Sequence, residues 1–447
     1  MPGHLLEQGT GSETLLQKLA SRETIILADT LHLETLSMND PDGTMLSLQA
    51  ILQAVAEKNL DYHVWAATKI VLDRWHKEKS ATNATRTRKE HVLRVLEQLF
   101  VELGMEMRAR VPGPHISLID PRIHNDAEAL VASVQRTYAL FKEKGVQKKD
   151  IMVSIPATED GMHATKRLQS MDYENKINLY LVSSLKHAEA CVAANSTMIT
   201  VPVGPVLKSF EDKQQGIRNM SSCQGGIEEI QSMFEYLNRT EIRTRAIATS
   251  FRNMSEVGQL SECFAVCVSP EQVERLKGGA RVPIALVKGP NNIDKQRGQD
   301  ANPVNILTRG GALGFSGTTR SAINSVLFHG LQTMKRQMDI IEQYVELEFV
   351  RQFEFHALDL SKFYNLHQEV RNILLWRAPK NTTKSNSTRL RITFQGTPKG
   401  PTTGSPSANT QSKNGRSEAG NLKEVSREWC FRAPAEEEDD DDLDEVF

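Results

Sequence analysis

Short runs of apolar residues alternate along the chain with longer segments in which apolar residues recur at helical spacing. A nearly continuous apolar run of about four to eight residues is typical of a parallel strand that is buried on both faces. Seven such runs stand out, and we expect an eighth strand around Thr44–Leu48. The seven are Thr24–Asp29, part of Met107–Asp120, Ile151–Ala157, Ile177–Ser183, Met198–Gly204, Arg245–Ser250 and Phe264–Ser269.

The segments between these runs have the spacing of amphipathic helices, in which one broad face is apolar. Asp126 suits the N-cap of one helix, and Gly145 suits its C-terminal stop. Eight strands that alternate with helices predict an α/β protein with a closed (β/α)8 barrel, in which chemistry lies at the C-terminal ends of the strands. The predicted helices are Lys89–Leu103, Asp126–Lys144, Ser184–Ala194 and Gly226–Leu237, with a long helical region at Thr319–Trp376 that packs across the barrel.

Composition and charge narrow the classes of function. The 447 residues carry 56 acidic and 54 basic side chains, which argues against a nucleic-acid-binding protein. No apolar run is long enough for a membrane span, and no basic segment followed by an apolar one precedes the first strand. The five cysteines are scattered, so we expect reduced thiols, no metal site at Cys263 and Cys267, and a cytoplasmic protein.

The chain changes character after Pro379. Residues 1–350 form the predicted barrel and 351–379 a helical extension, whereas 380–447 are rich in Ser, Thr, Gly and Pro. Such a tail buries too little apolar surface to order itself, so we predict that it is disordered. The acidic block Glu436–Glu445 lies near its end. Two interpretations stay open, a solubilising tail or a docking segment for a basic protein partner.

Several short motifs, taken in order, resemble those of the transaldolase family. The segment IMVSIPATEDG (151–161) resembles the fourth-strand signature of that family. Each motif alone is weak, but their shared order is specific. The resemblance runs from about residue 14 to about residue 350 and implies a barrel of the transaldolase type. The other motifs are ILADT (26–30), LGMEMRARVPG (103–113), INLYLVSSLKHAEACVAA (177–194), ITVPVGPVLKSF (199–210) and TSFRN (249–253).

The resemblance implies an activity that needs no cofactor. The family transfers a dihydroxyacetone unit between phosphosugars in the pentose phosphate pathway. A lysine amine forms a Schiff base with the ketose, carboxylates and a water carry protons, and arginines hold the phosphate. Carried over position by position, the acid/base aspartate is kept as Asp29, an asparagine as Asn178 and one phosphate-binding arginine as Arg252. A serine of the family becomes Thr200.

The positions that carry the covalent chemistry are changed. The Schiff-base lysine falls on Ser154, the proton-transferring glutamate on Leu118, and the asparagine after the second strand on Met45. A threonine that holds the catalytic water falls on Tyr180, and the second phosphate-binding arginine falls on Pro205. Because a serine hydroxyl cannot form an imine, we predict a family member that is impaired or inactive as a transaldolase.

Several alternatives accompany this prediction. In the first, the barrel still binds a phosphosugar or another anion around Asn178, Thr200 and Arg252, unless Arg252 is taken up by an intramolecular salt bridge. In the second, a displaced lysine such as Lys208 restores transaldolase activity. In the third, the barrel is a scaffold and the acidic tail binds a partner. The family resemblance is also compatible with a homodimer formed through the long C-terminal helical region.

Overall fold

The computed structural model of this chain describes most of the predicted barrel. The predicted disordered tail at 380–447, with its acidic block, lies outside the described residues. The described residues are 19, 23–32, 34, 41–57, 59–82, 87–214, 224–253, 256–257, 260, 263–277, 317–353, 366 and 368–370.

Eight parallel strands close into a barrel. Each strand pairs with the next one along the chain, and the last strand pairs with the first. Every predicted run contains or overlaps a strand, including the run around residues 44–48, so the prediction of a (β/α)8 barrel is confirmed. The strands are β1 Ile25–Ala28, β2 Gly43–Met45, β3 His115–Leu118, β4 Ile151–Pro156, β5 Ile177–Tyr180, β6 Met198–Pro202, β7 Arg245–Thr249 and β8 Ala265–Val268.

Helices cover the outside of the barrel. Asp126 caps one of them as predicted, since its Oδ1 accepts a hydrogen bond from the backbone of Ala129 at 2.9 Å. Gly145 follows the same helix with a φ of 79°, a conformation that favours glycine. The helices are α1 Leu48–Ala56, α2 Asp61–Thr82, α3 Arg88–Arg110, α4 Ala127–Glu143, α5 Glu159–Met171, α6 Leu185–Ala193, α7 Val203–Gln214, α8 Gln224–Leu237, α9 Pro270–Lys277, α10 Gly317–Ile323 and α11 His329–Phe353.

The core has two layers because strand side chains alternate between the barrel interior and the helices. Leu27, Ile116, Met152 and Met198 belong to a cluster inside the barrel, while a larger apolar layer separates the strands from the helices. Partners in a parallel pair share one face of the sheet. The pairing of Ile116 with Met152 therefore places Leu118 and Ser154, two residues further along each strand, on the interior face as well.

The long C-terminal helical region crosses the mouth of the barrel, at the C-terminal ends of the strands. We call residues 317–353 the closing helix; it comprises α10, a π-helical turn at Asn324–Phe328 and α11. It packs on α7, which follows β6, on the turn Pro121–Ile123, which follows β3, and on α1, which follows β2. The prediction of a helix packed across the barrel is therefore confirmed for the described part. None of the helices that the structure describes is long and apolar enough to cross a membrane.

Candidate functional site at the barrel mouth

Three polar side chains form a hydrogen-bonded row across β4, β5 and β6. Asn178 Nδ2 donates to Ser154 Oγ at 3.0 Å, and Thr200 Oγ1 donates to Asn178 Oδ1 at 2.9 Å. All three side chains are buried. We call them the polar row. Its members hydrogen-bond to one another, as buried polar groups in proteins normally do.

Lysine is absent from the barrel strands that the structure describes. None of the eight described strands contains a lysine, and the member of the polar row that β4 supplies is Ser154. Lys208 is exposed on α7. Lys148 and Lys176 precede β4 and β5, so both lie at the N-terminal end of the barrel, away from the mouth.

Apolar side chains occupy two of the changed positions. Leu118 pairs with Ser154 along the backbone and is 5 % exposed. Its side chain belongs to an apolar cluster that also contains Met338 of the closing helix. Met45 packs against the apolar cluster inside the barrel. These positions therefore serve as packing in this chain and offer no group for proton transfer.

Tyr180 adds bulk to the same interior face, where it pairs in register with Thr200. Its hydroxyl is buried and has no hydrogen-bond partner among the described residues. Burial raises the pKa of this phenol well above its usual range, and the nearby Asp120 carboxylate raises it further. Tyr180 is therefore neutral and fills space that a threonine would leave open.

Asp29 follows β1 and lies at the mouth of the barrel. Its Oδ1 is buried without a hydrogen-bond partner among the described residues. Burial raises the pKa of Asp29 to about 6, although hydrogen bonds from Ser47 lower it in part. Ser47 also caps α1, since its Oγ accepts from the backbone of Ala50 at 3.1 Å. Asp29 can therefore exchange a proton near neutral pH.

Arg252 follows β7 and is held by two carboxylates. Its Nη1 donates to both oxygens of Glu211 at 2.8 and 3.0 Å, and its Nε donates to Glu256 Oε1 at 2.6 Å. Partial burial lowers the pKa of the guanidinium, but the two carboxylates together outweigh this effect, so its pKa is raised. Gly204 packs so closely that a Cβ there would lie 2.8 Å from Arg252 Cγ. The intramolecular salt bridge considered for Arg252 is thus present, and Pro205 supplies no second cation.

A further arginine fastens the closing helix to the mouth. Arg122, in the turn after β3, donates to Asp120 at 2.7 Å, to Asp339 at 3.0 Å and also to Glu342. Asp339 and Glu342 lie on α11. The end of β3, where Leu118 lies, is therefore tied to the helix that covers it.

A backbone outlier marks the contact between β5 and the closing helix. Leu181, directly after β5, has a φ of 66°, a region that branched and bulky residues rarely occupy. Its side chain packs against Ile323, Leu327 and Leu331 of the closing helix. A Cβ on Gly330 would approach the Leu181 methyl groups to 3.0 Å, so a glycine is suited to this position.

Six of the positions singled out in the sequence divide into two groups. Three form the polar row. The other three, Asp29, Leu118 and Arg252, make their described side-chain contacts with groups outside it. Ser47 and Arg122 were missed by the sequence analysis. A serine directly before a helical apolar pattern is an N-cap signal and would have identified Ser47, whereas no local pattern identifies the partners of Arg122.

Sequence comparisons find relatives of this chain among known proteins. The profile of the transaldolase/fructose-6-phosphate aldolase family matches residues 48–305. A probable transaldolase of Dictyostelium discoideum is 28 % identical over 254 residues, which cover 57 % of this chain and 76 % of that protein. The transaldolase of Protochlamydia amoebophila is 26 % identical over 262 residues, covering 58 % and 77 %. The transaldolase of Saccharomyces cerevisiae is 25 % identical over 283 residues, covering 63 % and 81 %.

Proposed function

This chain belongs to the transaldolase/fructose-6-phosphate aldolase family, and we propose that it is a member without Schiff-base activity. The observation that carries the proposal is the buried Ser154 in β4, in a barrel whose described strands contain no lysine. Dihydroxyacetone transfer needs an amine that forms an imine and accepts the electron pair released when the carbon–carbon bond breaks. A serine hydroxyl forms no such electron sink.

Proton transfer is incomplete in this barrel as well. Asp29, with its pKa raised to about 6, can still donate or accept a proton. Leu118 and Met45 supply no titratable group, and the phenol of Tyr180 stays neutral. Asp29 would transfer protons to and from a Schiff-base intermediate, and this barrel forms none. Asp29 alone therefore does not restore dihydroxyacetone transfer.

The charged side chains around Arg252 disfavour the binding of a phosphosugar at the mouth. Arg252 is neutralised by Glu211 and Glu256, so this group of three side chains carries a net negative charge. The carboxylates occupy Nε and Nη1 of Arg252, so an incoming phosphate would find only Nη2 without an acceptor among the described residues, beside two carboxylates that repel it. A site built for phosphate presents arginine donors that are still available to it. We therefore propose that loss of turnover is accompanied by loss of tight phosphosugar binding.

Borohydride reduction tests the proposal. The full chain is incubated with fructose 6-phosphate and sodium borohydride, and the intact mass is measured, with the Saccharomyces cerevisiae transaldolase as the positive control. We expect a dihydroxyacetone adduct on the control and none on this chain. An adduct on this chain would overturn the proposal, and its loss in a Lys208→Gln variant would identify a displaced nucleophile.

The acidic tail is the basis of an alternative function. If the barrel is a scaffold, the block Glu436–Glu445 is the feature with which a basic partner protein would pair, because nine of its ten residues are acidic. A chain that stops at Pro379 would then lose partners that the full chain captures. The same partners on both chains would exclude a role for the tail.

A further inference from the structure

A cavity of about 250 Å³ lies beside the C-terminal end of β3, between α3, α4 and the closing helix. Its floor is apolar and includes Leu96, Phe100, Leu118, Ile119 and Met338, all of which are buried. Small-molecule sites usually measure about 300 to 1,000 Å³, so this cavity suits a ligand smaller than most. The floor therefore suits the apolar part of a ligand.

Two arginines line the same cavity and share one carboxylate. Arg94 Nη1 donates to Glu97 Oε2 at 2.8 Å, and Arg136 Nη2 donates to Glu97 Oε1 at 2.6 Å. Both oxygens of Glu97 are therefore occupied. Arg94 Nε and Nη2 and Arg136 Nη1 have no acceptor among the described residues. A guanidinium offers five N–H donors, so both side chains keep hydrogen-bonding capacity for a ligand.

The other carboxylates that line the cavity are already engaged. Glu90 Oε2 accepts from the backbone N–H of Thr87 at 2.7 Å, in the capping box of α3. Both oxygens of Asp120 accept from Arg122. The unfilled groups on the two arginines are N–H donors, because a guanidinium has no acceptor.

We propose that this cavity binds a small amphipathic carboxylate. Its apolar body lies on the floor, and its carboxylate accepts hydrogen bonds from Arg94 and Arg136. No residue of the polar row lines this cavity, and the proposal does not depend on the proposed loss of Schiff-base activity.

The net charge of the lining residues would favour a cationic ligand over an anionic one. The test must therefore distinguish a bound anion from a bound cation. Three lining carboxylates, Glu90, Glu97 and Asp120, face two lining arginines, which would favour a cation. Unfilled N–H donors favour an anion, because charge-assisted hydrogen bonds to a carboxylate are among the strongest available. The occupied oxygens of the lining carboxylates leave an ammonium group fewer acceptors.

The experiment compares three probes of equal length on the full chain by isothermal titration calorimetry. Hexanoate and hexanamide share a five-carbon apolar chain, hexylamine has one methylene more, and the three differ chiefly in the head group. We expect hexanoate to bind at least about tenfold more tightly than hexanamide, which corresponds to a charge-assisted hydrogen bond. Equal affinities, preference for hexylamine, or no binding of hexanoate would each overturn the proposal.

Variants locate the bound probe. Arg94→Gln should weaken hexanoate at least about tenfold. Arg74→Gln is the matched control, because Arg74 is also partly exposed and paired, with Glu143, but does not line the cavity. Ser133→Leu fills the cavity from α4 and should abolish binding, with circular dichroism as the check on folding. Undiminished binding in Ser133→Leu, or equal losses in both arginine variants, would place the probe elsewhere and refute the site.

Discussion

Burial brings the pKa of Asp29 close to neutral pH, and this shift has a measurable effect on the stability of the fold. Its pKa is raised from 3.8 to about 6, so its contribution to stability is fully present below pH 3.8 and is lost as pH rises through 6. We expect Asp29→Asn to be more stable than the parent at pH 7, by about 1 to 3 kcal/mol, and equal to it near pH 4. Urea unfolding at the two pH values checks this. Asp73→Asn, on an exposed position of α2, should change neither value.

Two buried histidines change the stability of the fold with pH in the direction opposite to Asp29. His115 is fully buried at the start of β3, with Nδ1 2.8 Å from Thr44 Oγ1, and burial lowers its pKa to about 3. Burial lowers the pKa of His187 to about 4. Both must stay neutral in the folded state, so the stability that they contribute is fully present above about pH 6.5 and is lost as pH falls toward 3 or 4.

The slope of stability against pH tests this effect. Between pH 6 and pH 5, each buried histidine should lower the free energy of unfolding by up to about 1.4 kcal/mol. We expect His115→Gln to reduce the slope in that interval, whatever its effect at pH 7. His163→Gln, on an exposed position of α5, is the control. An unchanged slope in His115→Gln would mean that the pKa of His115 is the same in the folded and the unfolded protein, and would contradict the prediction.

At the residue scale, the sequence indicated positions better than it indicated partners. The motif resemblance singled out Ser154, Asn178 and Thr200, and the structure joins their side chains in one row. The sequence could not decide between the two interpretations of Arg252. The outcome depends on Glu211, which lies 41 residues away and reaches Arg252 only because α7 packs beside the loop after β7.

The closing helix depends on Arg122 more than on its other ion pairs. The Arg122 side chain is 22 % exposed and serves three carboxylates, so its removal leaves Asp120, Asp339 and Glu342 facing one another. We expect Arg122→Ala to lower the free energy of unfolding by about 2 to 4 kcal/mol, because breaking a largely buried pair leaves uncompensated charge.

A matched variant on the same helix makes this prediction specific. Arg336 is 70 % exposed and lies 3.4 Å from Glu369, so Arg336→Ala should cost less than about 1 kcal/mol. Urea unfolding measures both losses. Hydrogen exchange of the amides in α11 should accelerate in Arg122→Ala alone. Similar losses in the two variants would show that Arg122 does not fasten the helix.

At the element scale, the sequence predicted α3, α4, α6, α8 and the closing helix from their apolar faces, but it did not delimit α1, α5, α7 or α9. α4 begins after Asp126 and ends before Gly145, as its pattern indicates. The sequence analysis did not identify α2. Its buried stripe is narrow, and it exposes aromatic residues, Tyr62 at 70 % and Trp65 at 40 %, where an amphipathic pattern has polar ones. The π-helical turn at Asn324–Phe328 was not predicted either, and no local sequence signal indicates it.

At the scale of the whole molecule, alternation of buried strands and helices was enough to predict the closed barrel. The helix across its mouth was predictable as an element, but its attachment was not, because Arg122 and Leu181 meet it through contacts far apart in sequence. A barrel of this kind can lose one chemistry and keep its architecture, since the core and the mouth use different side chains.

Restoring the amine separates loss of the nucleophile from loss of the phosphate site. In Ser154→Lys, burial should lower the pKa of the new amine and leave it nucleophilic near neutral pH. Arg252 remains held by Glu211 and Glu256, so we expect borohydride to trap uncharged dihydroxyacetone on this variant and not fructose 6-phosphate. Ser154→Met, similar in size but without an amine, should trap neither, and circular dichroism checks that both variants fold. Efficient trapping of fructose 6-phosphate on Ser154→Lys would contradict the prediction, because it would mean that a phosphate can still reach an arginine at the mouth.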